Sequence, residues 1–109
     1  MIKLSVLYSL PPDADHDEFL KWRTQSHQKS TVEQMSGLIK TDFYSIFGSR
    51  EGLPRYQYMT ELYFPDQDTF EKAFFNEDFQ ARLDKSLQRV VDPLFLISRE
   101  VLTEEVAAH

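Results

Sequence analysis

Arg23 and His27 lie four residues apart in the stretch Asp15-His16-Asp17-Glu18-Phe19-Leu20-Lys21-Trp22-Arg23-Thr24-Gln25-Ser26-His27. On a wheel of 100° per residue, Phe19, Trp22 and Ser26 fall at the centre of one face. Leu20, Arg23 and His27 fall along its flank, and Asp17, Lys21, Thr24 and Gln28 fall opposite. A helix built only to pack would carry apolar or small residues on that border. An imidazole titrates near neutral pH, so His27 there can take or give a proton. A planar guanidinium one turn away can hold a carbonyl, enolate or carboxylate oxygen. The plainer alternative makes His27 a cation closing a helix C-terminus. For Arg23 it is an ion pair with Glu61 or Glu18.

Other residues could complete such a site. Trp22 could wall a pocket or fill the core. Tyr44 and Tyr58 sit in strand-like runs, and a phenol beside a histidine can donate to a developing oxyanion. Glu61 is a charge inside an apolar strand, so it needs either water or a buried partner. His16 among Asp13, Asp15 and Asp17 has no recognised metal-ligand spacing, and helix capping accounts for the acids, so no metal site is expected. No glycine-rich phosphate loop and no Ser-His-Asp order can be identified, and no motif calls for a cofactor. His109 is expected in a polar tail and carries no argument.

These residues must be held by a scaffold, and its elements are legible. Residues 2–9 alternate, with Ile2, Leu4, Val6 and Tyr8 on one face, and predict a strand ended by Pro11-Pro12. Asp15 with Glu18 forms a capping-box pattern that starts a helix expected to reach about Lys29. Residues 30–37 read as a loop. Residues 38–47 and 55–64 alternate around a glycine-containing loop and predict an antiparallel hairpin. Pro65-Asp66 opens a helix over about 66–75. Asn76 caps another over about 77–90. Asp92-Pro93 ends it, and residues 94–101 form the last strand, followed by a tail at 103–109.

The order βαββ(αα)β is the α+β, ferredoxin-like pattern of four antiparallel strands with helices on one face. One domain over residues 1–102 is expected. Strands 1, 3 and 4 carry large apolar groups on both faces, as with Leu94 and Leu96 against Phe95 and Ile97. A face left to water would be polar at alternate positions. A homodimer joined through the uncovered sheet face is therefore expected.

Bulk properties narrow the chemistry. The chain has 109 residues, enough to bury roughly two thirds of its unfolded surface. It has no cysteine, which removes disulfides, thiolate catalysis and cysteine-held metals and suits a reducing cytoplasm. A net charge of −6 repels phosphate backbones, so nucleic acid is not an expected partner. No apolar run approaches the roughly 20 residues of a membrane span. The one compositional excess is aromatic: nine Phe, five Tyr and one Trp. Such rings suit a core, an interface or a pocket for a flat organic molecule.

A short strand, a proline turn, then Phe19, Trp22-Arg23 and His27, then Gly37-Leu38 leading into the second strand, resembles the EthD-like family of the dimeric α+β barrel superfamily. The likeness covers nearly the whole chain in element order, and its specific part is residues 19–38. Members commonly have Met-Pro-Gly-Leu where this chain has Met35-Ser36-Gly37-Leu38, without the proline. The resemblance implies a homodimer whose sheets form a shared barrel, with a pocket between sheet and helices in each subunit. It also implies relatives with varied chemistry: lactone isomerases, polyketide cyclases, cofactor-free monooxygenases and haem-binding enzymes.

Together these point to a small metal-free enzyme, of isomerase, cyclase, dehydratase or cofactor-free oxygenase type. It would act on a planar or oxygenated hydrophobic molecule, with His27 and Arg23 catalytic and Trp22, Tyr44, Tyr58 and Glu61 around the substrate. The alternatives are a carrier of a small hydrophobic compound without turnover, or a haem-handling protein in which His27 ligates iron.

Overall fold

The computed structural model describes residues 1–107; His109 and the end of the expected tail lie outside them. Four strands form one antiparallel sheet: β1 (Ile2–Ser9), β2 (Lys40–Ser45), β3 (Tyr58–Phe64) and β4 (Val91–Arg99), in the order β2-β3-β1-β4. β1 is central, with Val6 opposite Thr60 on one side and Phe95 on the other. The inward set Ile2, Leu4, Val6 and Tyr8 meets Tyr58, Leu62 and Phe64 from β3, and all seven are buried. The helices cover this face: α1 (His16–Trp22) and α2 (Gln28–Gln34), joined by a π-helical turn at Arg23–His27, then α3 (Gln67–Phe74) and α4 (Glu77–Leu87). The α+β ferredoxin-like order is as expected. No helix among the described residues is long and apolar enough to cross a membrane.

The helix starts follow local chemistry. Asp15 Oδ1 accepts the Glu18 amide at 3.0 Å, Asp66 Oδ1 the Thr69 amide at 2.8 Å, and Asn76 Oδ1 the Phe79 amide at 3.1 Å. Each satisfies one amide that the first turn leaves without a partner.

Several boundaries differ from the sequence reading. The first helical stretch does not stop near Lys29 but runs on to Gln34, through residues expected to be loop. α4 ends at Leu87, three residues early, and β4 begins at Val91, so Asp92-Pro93 lies inside a strand. That is possible because β4 is an edge strand whose register against β1 shifts between Leu7 and Ser9. A bulged edge tolerates a proline, and Asp92 takes the left-handed φ of 52° there. The hairpin strands are shorter than expected, so a long connection, 46–57, joins them. Phe47 and Leu53 on it are almost fully exposed.

The outward sheet face carries Leu7, Met59, Tyr44, Leu94 and Leu96, interspersed with Lys3, Glu61 and Lys40. Leu96 is 49% exposed and Tyr44 46%. No helix among the described residues lies over it.

Gly37 turns the chain from α2 into β2 at φ +83°, a conformation that costs other residues roughly 1–2 kcal/mol. A β-carbon there would also clash with the Thr69 methyl of α3. Gly37→Ala is expected to lower unfolding stability by about 1–3 kcal/mol in a denaturant titration. Adding Thr69→Ser should recover the steric part and leave the backbone part. Full stability in the single variant would contradict this account.

Candidate active site

A cavity of about 120 Å³ lies between the sheet and the helices. For scale, a dry apolar cavity of roughly 150 Å³ holds one benzene ring. β1 contributes Val6 and Tyr8, β3 contributes Thr60 and Leu62, and α4 closes the side opposite the first helical stretch with Leu83 and Leu87. Trp22, Arg23 and His27 line it as well.

Trp22 and Arg23 follow the regular ladder of α1, and a π turn beginning at Arg23 redirects the residues after it. The Gln28 amide donates to the Arg23 carbonyl, five residues back rather than four. Just before it, Thr24 Oγ1 donates to the Leu20 carbonyl at 2.7 Å, which loosens the regular ladder at that point. One extra residue is absorbed, and the inward face rotates. Ser26, placed by a regular wheel at the centre of the buried face, is exposed instead. Arg23, at the start of the turn, is 3% exposed, and past the turn the inward series continues through His27, Ser30, Thr31 and Gln34. π turns of this kind are frequent at functional sites.

Arg23 is held by neutral groups. Its Nη1 donates to Gln28 Oε1 at 2.7 Å and its Nη2 to Thr60 Oγ1 at 3.1 Å. Its guanidinium lies 4.4 Å from the centre of the Phe43 ring. Burial draws its pKa below the ordinary guanidinium value, and the neighbouring Tyr8 phenol opposes that. The Tyr8 phenol is itself pushed up by burial, against the pull of Arg23 and Thr60, so at neutral pH it is a hydrogen-bond donor.

His27 stacks at a tilt of 36° on Trp22, ring centres 4.7 Å apart. Arg89 covers the indole at 4.2 Å and pairs with Glu18. Burial, then Arg23, then Arg89, lowers the His27 pKa to about 4. At neutral pH the side chain is thus an uncharged imidazole. It also sits mid-helix, so the alternative of a cation closing a helix C-terminus does not describe it.

Of the six residues singled out from sequence, Trp22, Arg23 and His27 line one cavity and three do not. Tyr58 is 4% exposed beneath the site; its hydroxyl bonds His16 Nδ1 at 2.8 Å, and its ring stacks on Phe43 at 5.6 Å. Tyr44 and Glu61 lie on the outward sheet face, because their neighbours Phe43 and Thr60 point inward. Glu61 pairs there with Lys3 at 3.4 Å and accepts from the Tyr63 hydroxyl at 2.7 Å. The expected ion pair between Arg23 and Glu61 is therefore ruled out by the alternation of β3, and Glu18 is taken by Arg89. Tyr8 and Thr60 were missed. Thr60 had a signal: it is the one polar residue in the inward series Tyr56, Tyr58, Thr60, Leu62, Phe64.

An imidazole base, a guanidinium and a phenol donor around a small apolar space can take a proton from carbon or oxygen and hold the anion that results. Against known proteins, no family model and no curated protein matches the chain. Solved structures do. An EthD family protein from Bacillus halodurans is similar over 93% of this chain and 99% of its own, with a TM-score of 0.75 and 22% identity. A dimeric ferredoxin-like protein of unknown function from Thermobifida fusca covers 89% of this chain and 88% of its own, with a TM-score of 0.66 and 15% identity. SnoaB from Streptomyces nogalater, a cofactor-independent oxygenase, covers 94% of each chain with a TM-score of 0.64 and 12% identity. The chain has the four-stranded ferredoxin-like fold of an EthD family protein.

Proposed function

We propose that this chain is an EthD-like member of the dimeric α+β barrel superfamily. It works as a homodimer and as a small cytoplasmic enzyme on a planar or oxygenated hydrophobic molecule bound between sheet and helices. His27 takes the proton, Arg23 and Tyr8 hold the oxygen on which negative charge develops, and Trp22 walls the pocket. Isomerisation, cyclisation, dehydration and cofactor-free oxygenation all begin with such a step. The observation that carries the reading is a half-buried imidazole, uncharged at neutral pH, facing the same cavity as a buried guanidinium. The likeness in fold to a cofactor-independent oxygenase supports it, and so does the likeness to an EthD family protein. For the dimer, the support is the exposed leucines of the outward sheet face and the dimeric ferredoxin-like protein of the same fold. The two copies would meet sheet to sheet, leaving both cavities on the outside of the pair.

The test is a panel of phenols, lactones and β-dicarbonyl aromatics added to purified protein without metal or cofactor. Trp22, the one tryptophan, reports binding by its fluorescence, and chromatography reports product. Binding with conversion of at least one compound is the expected result. Binding without conversion of any would leave a carrier, and no change in Trp22 emission with any compound would end the pocket reading. Light scattering at micromolar concentration should give twice the chain mass; a monomer there would end the dimer reading.

A further inference from the structure

We infer that the ligand of this cavity binds as an anion, a compact unsaturated molecule whose negative oxygen is received by Arg23. The inference rests on the cavity being a small-molecule site, as proposed above, and adds the charge of what enters it.

The argument begins with an imbalance. The chain carries 18 acidic residues against 12 lysines and arginines, yet no acid lines the cavity. Two arginines do, Arg23 and Arg82. Neither takes part in any ion pair among the described residues. Arg89, beside the site on Trp22, differs: its charge is met by Glu18.

Arg23 is the decisive case. A guanidinium 3% exposed has lost its water, and a buried charge left unpaired is strongly destabilising. The groups that hold it, Gln28 and Thr60, are neutral. They and the Phe43 ring fix the plane of the fork but supply no countercharge. Of five N–H donors on an arginine these two bonds use two, and the Tyr8 phenol beside the guanidinium is neutral as well. The countercharge must therefore come from outside the chain, and the cavity is where it can enter. Val6, Leu62, Leu83 and Leu87 give the space an apolar wall, beside the neutral polar groups of Ser30, Thr31, Gln34 and Ser86. A carboxylate or phenolate on an aromatic body meets both demands.

Two matched pairs of probes test this on the wild-type protein at pH 8, read by Trp22 fluorescence. One pair is 4-ethylbenzoate and 4-ethylbenzamide; the other is 4-nitrophenolate and 4-nitroanisole. The anion of at least one pair should bind about tenfold or more tighter than its neutral partner, as charge-assisted bonding to a desolvated guanidinium requires. The pair that shows it identifies the oxygen as carboxylate or phenolate. In Arg23→Met the preference should fall to about parity, and Arg23→Lys should retain part of it. Equal binding within both pairs would overturn the inference while leaving the pocket reading standing. A preference that survives in folded Arg23→Met would overturn the role of Arg23. Binding of none of the four would remove both readings.

Discussion

Replacing His27 by alanine is expected to cut turnover by about 10²–10⁴-fold on any compound the wild type converts, with binding changed only a few-fold. The residue lines the cavity but is not held by any side-chain hydrogen bond among the described residues, so its ring is available to a ligand. Its pKa of about 4 sets the pH dependence. A base of that pKa is already deprotonated throughout the neutral range. The rate should therefore stay flat from about pH 8 down to about pH 5 and fall only as the imidazole takes its proton near pH 4. An ordinary histidine would make the rate fall between about pH 7 and 6. The same shift has a consequence for stability, with a fixed sign. The folded pKa lies below the unfolded value of about 6.5, so between the two the unfolded chain binds more protons. The stabilising effect is complete above about pH 6.5 and is lost as pH falls toward 4. Between pH 7 and 5 the loss should be about 1 kcal/mol in a denaturant titration, since solvent screens part of the effect at a half-buried ring. His27→Gln should remove that part of the pH dependence. A rate midpoint near 6.5, or a His27→Ala variant that turns over normally, would take His27 out of the chemistry.

What could be read in the sequence, and what could not, divides along the range of the interactions. Capping is local, so Asp15 and Asn76 mark their helices correctly. Strand alternation is local too, and it groups Ile2, Leu4, Val6 and Tyr8 as they are found. Alternation does not say which face the helices cover. Tyr58 and Glu61, three apart in one strand, face opposite sides by alternation alone, so only one of them can share a face with the helices, and the structure gives that side to Tyr58. The wheel failed at Ser26 because it assumes 3.6 residues per turn, and the π turn takes in one more. Arg23 lies before the widened turn, its amide still bonded to the Phe19 carbonyl, and is buried on the same side as Phe19. The contribution of α4 depends on how that helix docks across the sheet from α1, and nothing in its own residues specifies that.

At the other end of the sheet, Phe70→Ala is expected to cost about 3–5 kcal/mol, the range for removing a buried aromatic ring. Phe70 is 1% exposed, meets Phe64 edge-on at 5.4 Å and stacks on Phe74 at 5.3 Å. Phe64 is fully buried on β3, so this cluster is what fastens α3 to the sheet. Deleting the ring leaves a void that Phe64 and Phe74 cannot both move to fill, since each is fixed from its other side by its own element. Phe75, next along the chain at 63% exposure, is the control: Phe75→Ala should cost about 1 kcal/mol or less. None of these rings lines the cavity that holds Arg23 and His27. Phe70→Ala protein kept well below its lowered melting temperature should therefore bind cavity ligands within a few-fold of wild type. A loss of binding in the folded variant would mean that α3 and the cavity act as one mechanical unit, whereas a stability change under 1 kcal/mol would mean that the aromatic cluster is not what fixes α3.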